Sequence, residues 1–129
     1  AQLVQILVTL TGSVPDKKDQ GLSSHTMELY LEEHIAEPTD LARMGAHFEV
    51  SKATLCRNAK RWFGLSVQKL HERKKMQHAQ NLLLLNSFTV SEVAYRTGYH
   101  DPLYFSRVFR RCVGCSPKAF MRQQHTEIG

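Results

Sequence analysis

Long hydrophobic runs are missing from this sequence of 129 residues. Its most apolar segments, LVQILVTL (3–10) and NLLLLN (81–86), fall far short of the roughly 20 residues needed to cross a bilayer, so no membrane partner is expected. Also missing is any run of alternating β-branched residues, the usual mark of a half-buried strand. Helix formers dominate instead, and an all-α fold is expected. Cysteine is scarce: Cys56, Cys112 and Cys115 are all there is, and with no secretory signal they fit a reducing cytoplasm. The sequence starts at Ala1 without Met, basic n-region or cleavage site, and reads as a fragment of a longer intracellular chain. Ser, His and Asp occur, but in no arrangement that ties them to nucleophilic catalysis, so neither an enzyme nor a cofactor is expected. The length suits one domain or two very small ones with a modest core.

Charge is unevenly spread. Residues 1–50 carry three basic side chains against eight acidic ones, net −5, while residues 51–129 carry fourteen against four, net +10, and together these give the overall +5. An acidic cap on a basic body with a sequence pI near 9.3 suits a domain that binds a polyanion. Lysines and arginines that merely solubilise helix faces would give the same totals.

Leu3, Ile6, Leu7 and Leu10 share one helical face, after which TGSVPDKKDQG breaks the pattern, so residues 11–22 read as a linker. From Leu22 seven helices follow from their end signals. Ser23 or Ser24 opens one through His34, Thr39 opens one to about Phe48, and Ser51 opens one that runs to Phe63 and stops at Gly64. Ser66 opens the longest, to about Leu85. Thr89 begins TVSE, a capping box with Glu92, and Gly98 ends that short helix. Asp101-Pro102 and Ser116-Pro117 each supply a capping oxygen followed by proline at the first helical position.

The basic half repeats itself. Sliding the sequence by 50 residues lays LCRNAKRWFGLSVQKL (55–70) on FSRVFRRCVGCSPKAF (105–120): Arg57 meets Arg107, Lys60 meets Arg110, Arg61 meets Arg111, Gly64 meets Gly114 and Ser66 meets Ser116. Upstream the offset becomes 49, pairing MGAHFEV (44–50) with VAYRTGY (93–99), so the second copy has one extra residue in its turn. Each copy is a short helix, a tight turn and a second helix with arginine outside, which is a helix-turn-helix used twice. A recognition helix packs one side on its domain and inserts the other into the major groove. In the second copy Phe105, Val108, Phe109 and Cys112 take the buried spacing and leave Leu103, Ser106, Arg107 and Arg110 outside. In the first, Leu55 is buried while Ala53, Cys56, Arg57 and Lys60 face out. Gly45 and Ala94 are small where the two helices of each unit cross. The helix between the copies is about 30 Å long at 1.5 Å per residue. That length could set the units roughly one DNA turn, about 34 Å, apart.

On these residues the chain from about Leu22 to Gln124 resembles the DNA-binding domain of the AraC/XylS family of bacterial transcription regulators. The resemblance rests on VSKATLCRNAKRWFGLS, KMQHAQNLLL and above all VAYRTGYHDPLYFSRVFRRCVGCSP. It implies two helix-turn-helix subdomains, 22–65 and 87–129, joined by a linker helix, 66–86. Residues 1–21 would then be the end of an upstream domain plus a linker. Double-stranded DNA is the implied partner, read in adjacent major grooves by Ser51, Lys52, Ala53, Cys56, Arg57 and Lys60 in the first unit and by Asp101, Leu103, Ser106, Arg107 and Arg110 in the second. RNA polymerase, activation, and a homodimer formed through an absent N-terminal domain are implied with it. The sequence departs from the family pattern at Ala59, where a large aromatic is usual and which Trp62 and Phe63 would have to refill, and at Gly45, where alanine is usual. A glycine there costs up to about 1 kcal/mol of helix propensity.

Other readings stay open beside this one. Cys112 and Cys115 form a Cys-x-x-Cys pair near His100, which suits a thiol- or metal-responsive sensor, although no second pair accompanies it; the repeat aligns Cys112 with Trp62, a packing position. His71 and His78 lie seven apart on the spacer helix and either share a metal or are exposed histidines. ERKK (72–75) is either a solvated face or a run that contacts phosphate. The 3–10 stripe would serve an interaction module.

Overall fold

The computed structural model describes residues 21–128, with side chains described through residue 124. The 3–10 stripe and most of the 11–22 linker lie outside the described residues. Among the described residues there are seven helices and no strand: α1 (Ser24–Glu33), α2 (Leu41–Phe48), α3 (Lys52–Phe63), α4 (Val67–Leu84), α5 (Val90–Arg96), α6 (Pro102–Val113) and α7 (Pro117–Ile128). The all-α expectation and the number of helices hold.

The ends of these helices follow the capping chemistry. Ser23 and Thr26 form a capping box at α1, and Thr89 and Glu92 another at α5. Ser51, Ser66 and Ser116 each accept a backbone N–H three residues on, at 3.1 Å, so one orphan donor at each start is satisfied. α2 differs from expectation. Its cap is Asp40, which accepts from the Arg43 N–H at 3.1 Å, because the Thr39 hydroxyl is taken by a side chain of α4.

Two separate cores result. The first gathers Met27, Tyr30, Leu31, Met44, Phe48, Leu55 and Ala59 around Val67 and Leu70 of α4. The second gathers Val93, Ala94, Phe105, Val108, Phe109 and Phe120 around Met76, Ala79 and Leu83 of the same helix. α4 therefore belongs to both, packing on α1 and α3 with its first half and on α5, α6 and α7 with the rest. Trp62 and Phe63 pack against the first core, in which Ala59 is fully buried, as the departure at Ala59 requires.

The two helix-turn-helix units, α2–α3 and α5–α6, turn in the same way. At aligned positions Glu49 (φ +59°) and Gly98 (φ +88°) take the left-handed conformation. The Val50 N–H reaches the Gly45 carbonyl and the Tyr99 N–H reaches the Ala94 carbonyl, both at 2.9 Å. The first turn is one residue shorter and tighter: a Cβ on Gly45 would lie 2.7 Å from the Val50 carbonyl oxygen. Glycine here is a steric requirement of the turn as well as a propensity cost.

Candidate nucleic-acid interface

α3 and α6 each bury one side and show the other. On α3, Leu55 and Ala59 are fully buried, while Ser51, Lys52, Ala53, Arg57 and Lys60 are exposed and Cys56 is half-buried. On α6, Phe105, Val108 and Phe109 are fully buried, while Asp101, Leu103, Arg107 and Arg110 are exposed and Ser106 is half-buried. All eleven residues expected to read DNA thus lie on the accessible sides of these two helices or at their starts. Arg57 leans back onto the Thr54 hydroxyl at 3.4 Å. Ser51 and Asp101 have a structural task as well, since their side-chain oxygens cap the first turns of α3 and α6; Asp101 Oδ1 accepts from the Leu103 N–H at 3.0 Å.

Beyond the eleven residues named from the sequence, Arg61 and Tyr104 are also exposed on these two helices. Arg61 is exposed one turn beyond Arg57. Leu103 is 71% exposed and Tyr104 beside it 50% exposed, a large cost in wetted apolar area for a helix with no partner. Tyr104 packs its ring against Tyr99, with centroids 5.9 Å apart. Arg111 is also exposed, but it turns away to the Glu72 carboxylate at 2.9 Å, so of the three arginines of α6 two are left outward.

The cysteine and ERKK readings change once the side chains are placed. Cys112 is exposed, not part of the buried side of α6, and its thiol points at Glu72 Oε1, 3.7 Å away. Partial burial of the sulfur, then the carboxylate's charge, push its pKa up, the opposite of what a reactive thiolate needs. Cys115 leans toward Gln123 instead, and among the described residues no group of three His, Cys, Asp or Glu side chains could hold a metal.

ERKK is neither a solvated face nor a row of phosphate contacts, because three of its four residues are engaged inside the protein. Glu72 pairs with Arg111 and Lys69. Lys74 pairs with Glu28 and Glu32 of α1. Lys75 is 7% exposed, with Nζ 2.7 Å from both the Ile35 and Glu37 carbonyl oxygens. Burial lowers its pKa to about 8, so at neutral pH the amine still carries its three donors.

His71 is not exposed either, and it does not share a site with His78. It is 1% exposed, with Nε2 3.0 Å from the His34 carbonyl and Nδ1 2.7 Å from the Thr39 hydroxyl. A carbonyl only accepts, so Nε2 carries the proton, and Nδ1 accepts from Thr39. Burial, then the nearby Lys75 charge, depress its pKa to about 4.

Paired helix-turn-helix units strung on one helix, each with a cationic second helix turned to solvent, define a double-headed helix-turn-helix protein. The helix-turn-helix domain family matches residues 44–123. The chain belongs to this family, as a domain of AraC type. It is similar to the transcriptional activator RhaS of Salmonella arizonae, 32% identical over 117 residues that cover 89% of this chain and 42% of the relative. It is similar as well to the arabinose operon regulatory protein of Escherichia coli, 33% identical over 92 residues, which cover 70% of this chain and 32% of the relative. The chain therefore spans less than half the length of these relatives. Among solved structures, the DNA-binding domain of AdpA in complex with a target DNA is similar at a TM-score of 0.73 and 26% identity, covering 80% of this chain and 93% of that one.

Proposed function

We propose that this chain binds double-stranded DNA sequence-specifically, with α3 and α6 in adjacent major grooves, and acts in transcription as an activator. The observation that carries the reading is the matched pair of helices, each with one side fixed in its own core and the other offering arginine at aligned positions, Arg57 and Arg107. Arginine suits this task because its fork can meet both acceptors on a guanine edge. α4 supports two-headed binding: its 18 residues span about 27 Å, close to the roughly 34 Å of one duplex turn. Activation is supported by the name of the Salmonella relative, and DNA as partner by the complex of the AdpA domain. RNA polymerase as a partner, and a homodimer formed through an N-terminal domain outside this chain, follow from the same reading.

Selection of the purified chain on random duplex DNA tests it. The expected product is a bipartite site with boxes about 10 bp apart. Equal, salt-sensitive binding to every sequence would reject sequence-specific reading, and a single enriched box would reject the contribution of one unit to base recognition.

A further inference from the structure

Between its two apolar patches α4 carries a polar middle, and most of the groups there reach only one half of the molecule. His71 bonds to Thr39 and the His34 carbonyl, Lys74 pairs with Glu28 and Glu32, and Glu72 pairs with Arg111. Lys75 reaches both halves. Its ammonium donates to Ile35 and Glu37 in the loop between α1 and α2, and at 3.4 Å to the Thr97 carbonyl in the turn of the second unit. Loop and turn meet directly beside it. A Cβ on Gly98 would lie 2.8 Å from the Ala36 carbonyl oxygen and 2.9 Å from Lys75 Nζ, and the Tyr99 ring centroid is 5.9 Å from the same nitrogen.

This contact is mechanically distinct from the helix. A helix that enters one core through Val67 and Leu70 and the other through Met76, Ala79 and Leu83 sets the distance between the units, but it can bend or twist across the stretch that belongs to neither. A second attachment off the helix axis removes that freedom. Moving one DNA box by a single base pair shifts it about 3.4 Å along the duplex and roughly 34° around it. A reader with a rigid joint cannot follow.

We propose that Lys75 is a positioning residue that locks the two helix-turn-helix units into one rigid body and so sets the box spacing the protein accepts. The proposal rests on the two-box reading above. Lys75→Met keeps the length and the burial of the side chain and removes its three hydrogen bonds. Lys74→Met is the control, since Lys74 is held by α1 alone.

The test measures affinity of the 129-residue chain for duplexes whose two boxes are offset by −1, 0 and +1 bp from the selected spacing, and for a single-box duplex. The native chain is expected to lose about tenfold or more on either offset, because the DNA must twist to compensate. Lys75→Met should flatten that profile to within about threefold while single-box affinity and the Lys74→Met profile stay native. A native profile for folded Lys75→Met, or equal flattening by Lys74→Met, would overturn the proposal. Should Lys75→Met not fold, Gly98→Ala forces the same joint apart with Lys75 in place, and a native profile for it counts against the proposal equally.

One measurement needs neither DNA nor a variant. Residual dipolar couplings of the free chain should fit a single alignment tensor across both units, and independent tensors would overturn the lock. Absence of any preferred site for the native chain would instead sink the two-box reading, with the couplings still reporting on the joint.

Discussion

His71 has both ring nitrogens committed, one donating to the His34 carbonyl and the other accepting from Thr39, in a site 1% exposed. A second proton would be buried, would reverse the Thr39 bond and would sit beside the Lys75 ammonium, and the pKa falls from 6.5 to about 4. The sign of the pH dependence follows. Above pH 6.5 both folded and unfolded chains hold the ring neutral and the full contribution is present. As pH falls from 6.5 toward 4 the unfolded chain takes up the proton first, and stability drops. Between pH 7 and pH 5 the loss from this one group is about 2 kcal/mol. Urea unfolding of the native chain and of His71→Gln at both pH values measures it, and an equal pH loss in the two proteins would exclude His71 as the source. Arg107 poses the other question at this scale, since it is exposed and has a surface task only if DNA is there. Arg107→Ala should leave stability unchanged and cost about 1–3 kcal/mol of binding, with relaxed preference at one base pair. Unchanged affinity and site preference in a competition assay would remove it from the reading set.

Elements were legible in the sequence where their ends are written in local chemistry. Ser51, Ser66, Thr89, Asp101 and Ser116 cap by short-range bonds that need no tertiary partner, and the repeat assigned one pattern of buried and exposed residues to both α3 and α6. Illegible were the positions decided by a distant partner. Thr39 looks like a cap but is claimed by His71, 32 residues away. Cys112 fits the buried spacing of α6 but falls opposite the Glu72 carboxylate. A signal did exist for ERKK: Val67, His71, Lys75, Ala79 and Leu83 recur every four residues and are all buried, but the row is polar in its middle, where a histidine and a lysine do not look like core. The turn of the first unit gives a sharper test of local against tertiary control. Propensity alone makes Gly45→Ala a gain of about 1 kcal/mol, and Ala94 occupies the same place in the second unit. The shorter first turn instead brings the Val50 carbonyl to 2.7 Å of the added carbon, so Gly45→Ala should destabilise by about 1–3 kcal/mol. A chemical denaturation midpoint at or above the native one would show that the turn can yield.

At the scale of the whole molecule, charge is partitioned by use. In the acidic half, Glu28 and Glu32 are tied to Lys74, and Glu37 to Arg43; in the basic half, Lys75 is tied into the joint and Arg111 to Glu72. Internal pairing of this kind leaves the cations on the accessible sides of α3 and α6 to set the field. Lys52, Arg57, Lys60 and Arg61 are exposed on α3, and Arg107 and Arg110 on α6. Each phosphate neutralised releases a condensed counterion, so affinity falls with salt at a slope close to −0.9 per contact. With both units seated and Arg57 and Arg107 on bases, the four remaining cations predict a slope of log affinity against log salt of about −4, whereas a duplex with a single box engages one unit and gives about −1 to −3. Titrations on bipartite and single-box duplexes across a range of salt concentrations would separate the two cases. Equal slopes on both duplexes would mean that only one unit touches DNA, however similar the two are in fold. A steeper slope on the bipartite site would place cations of both helices at the backbone together.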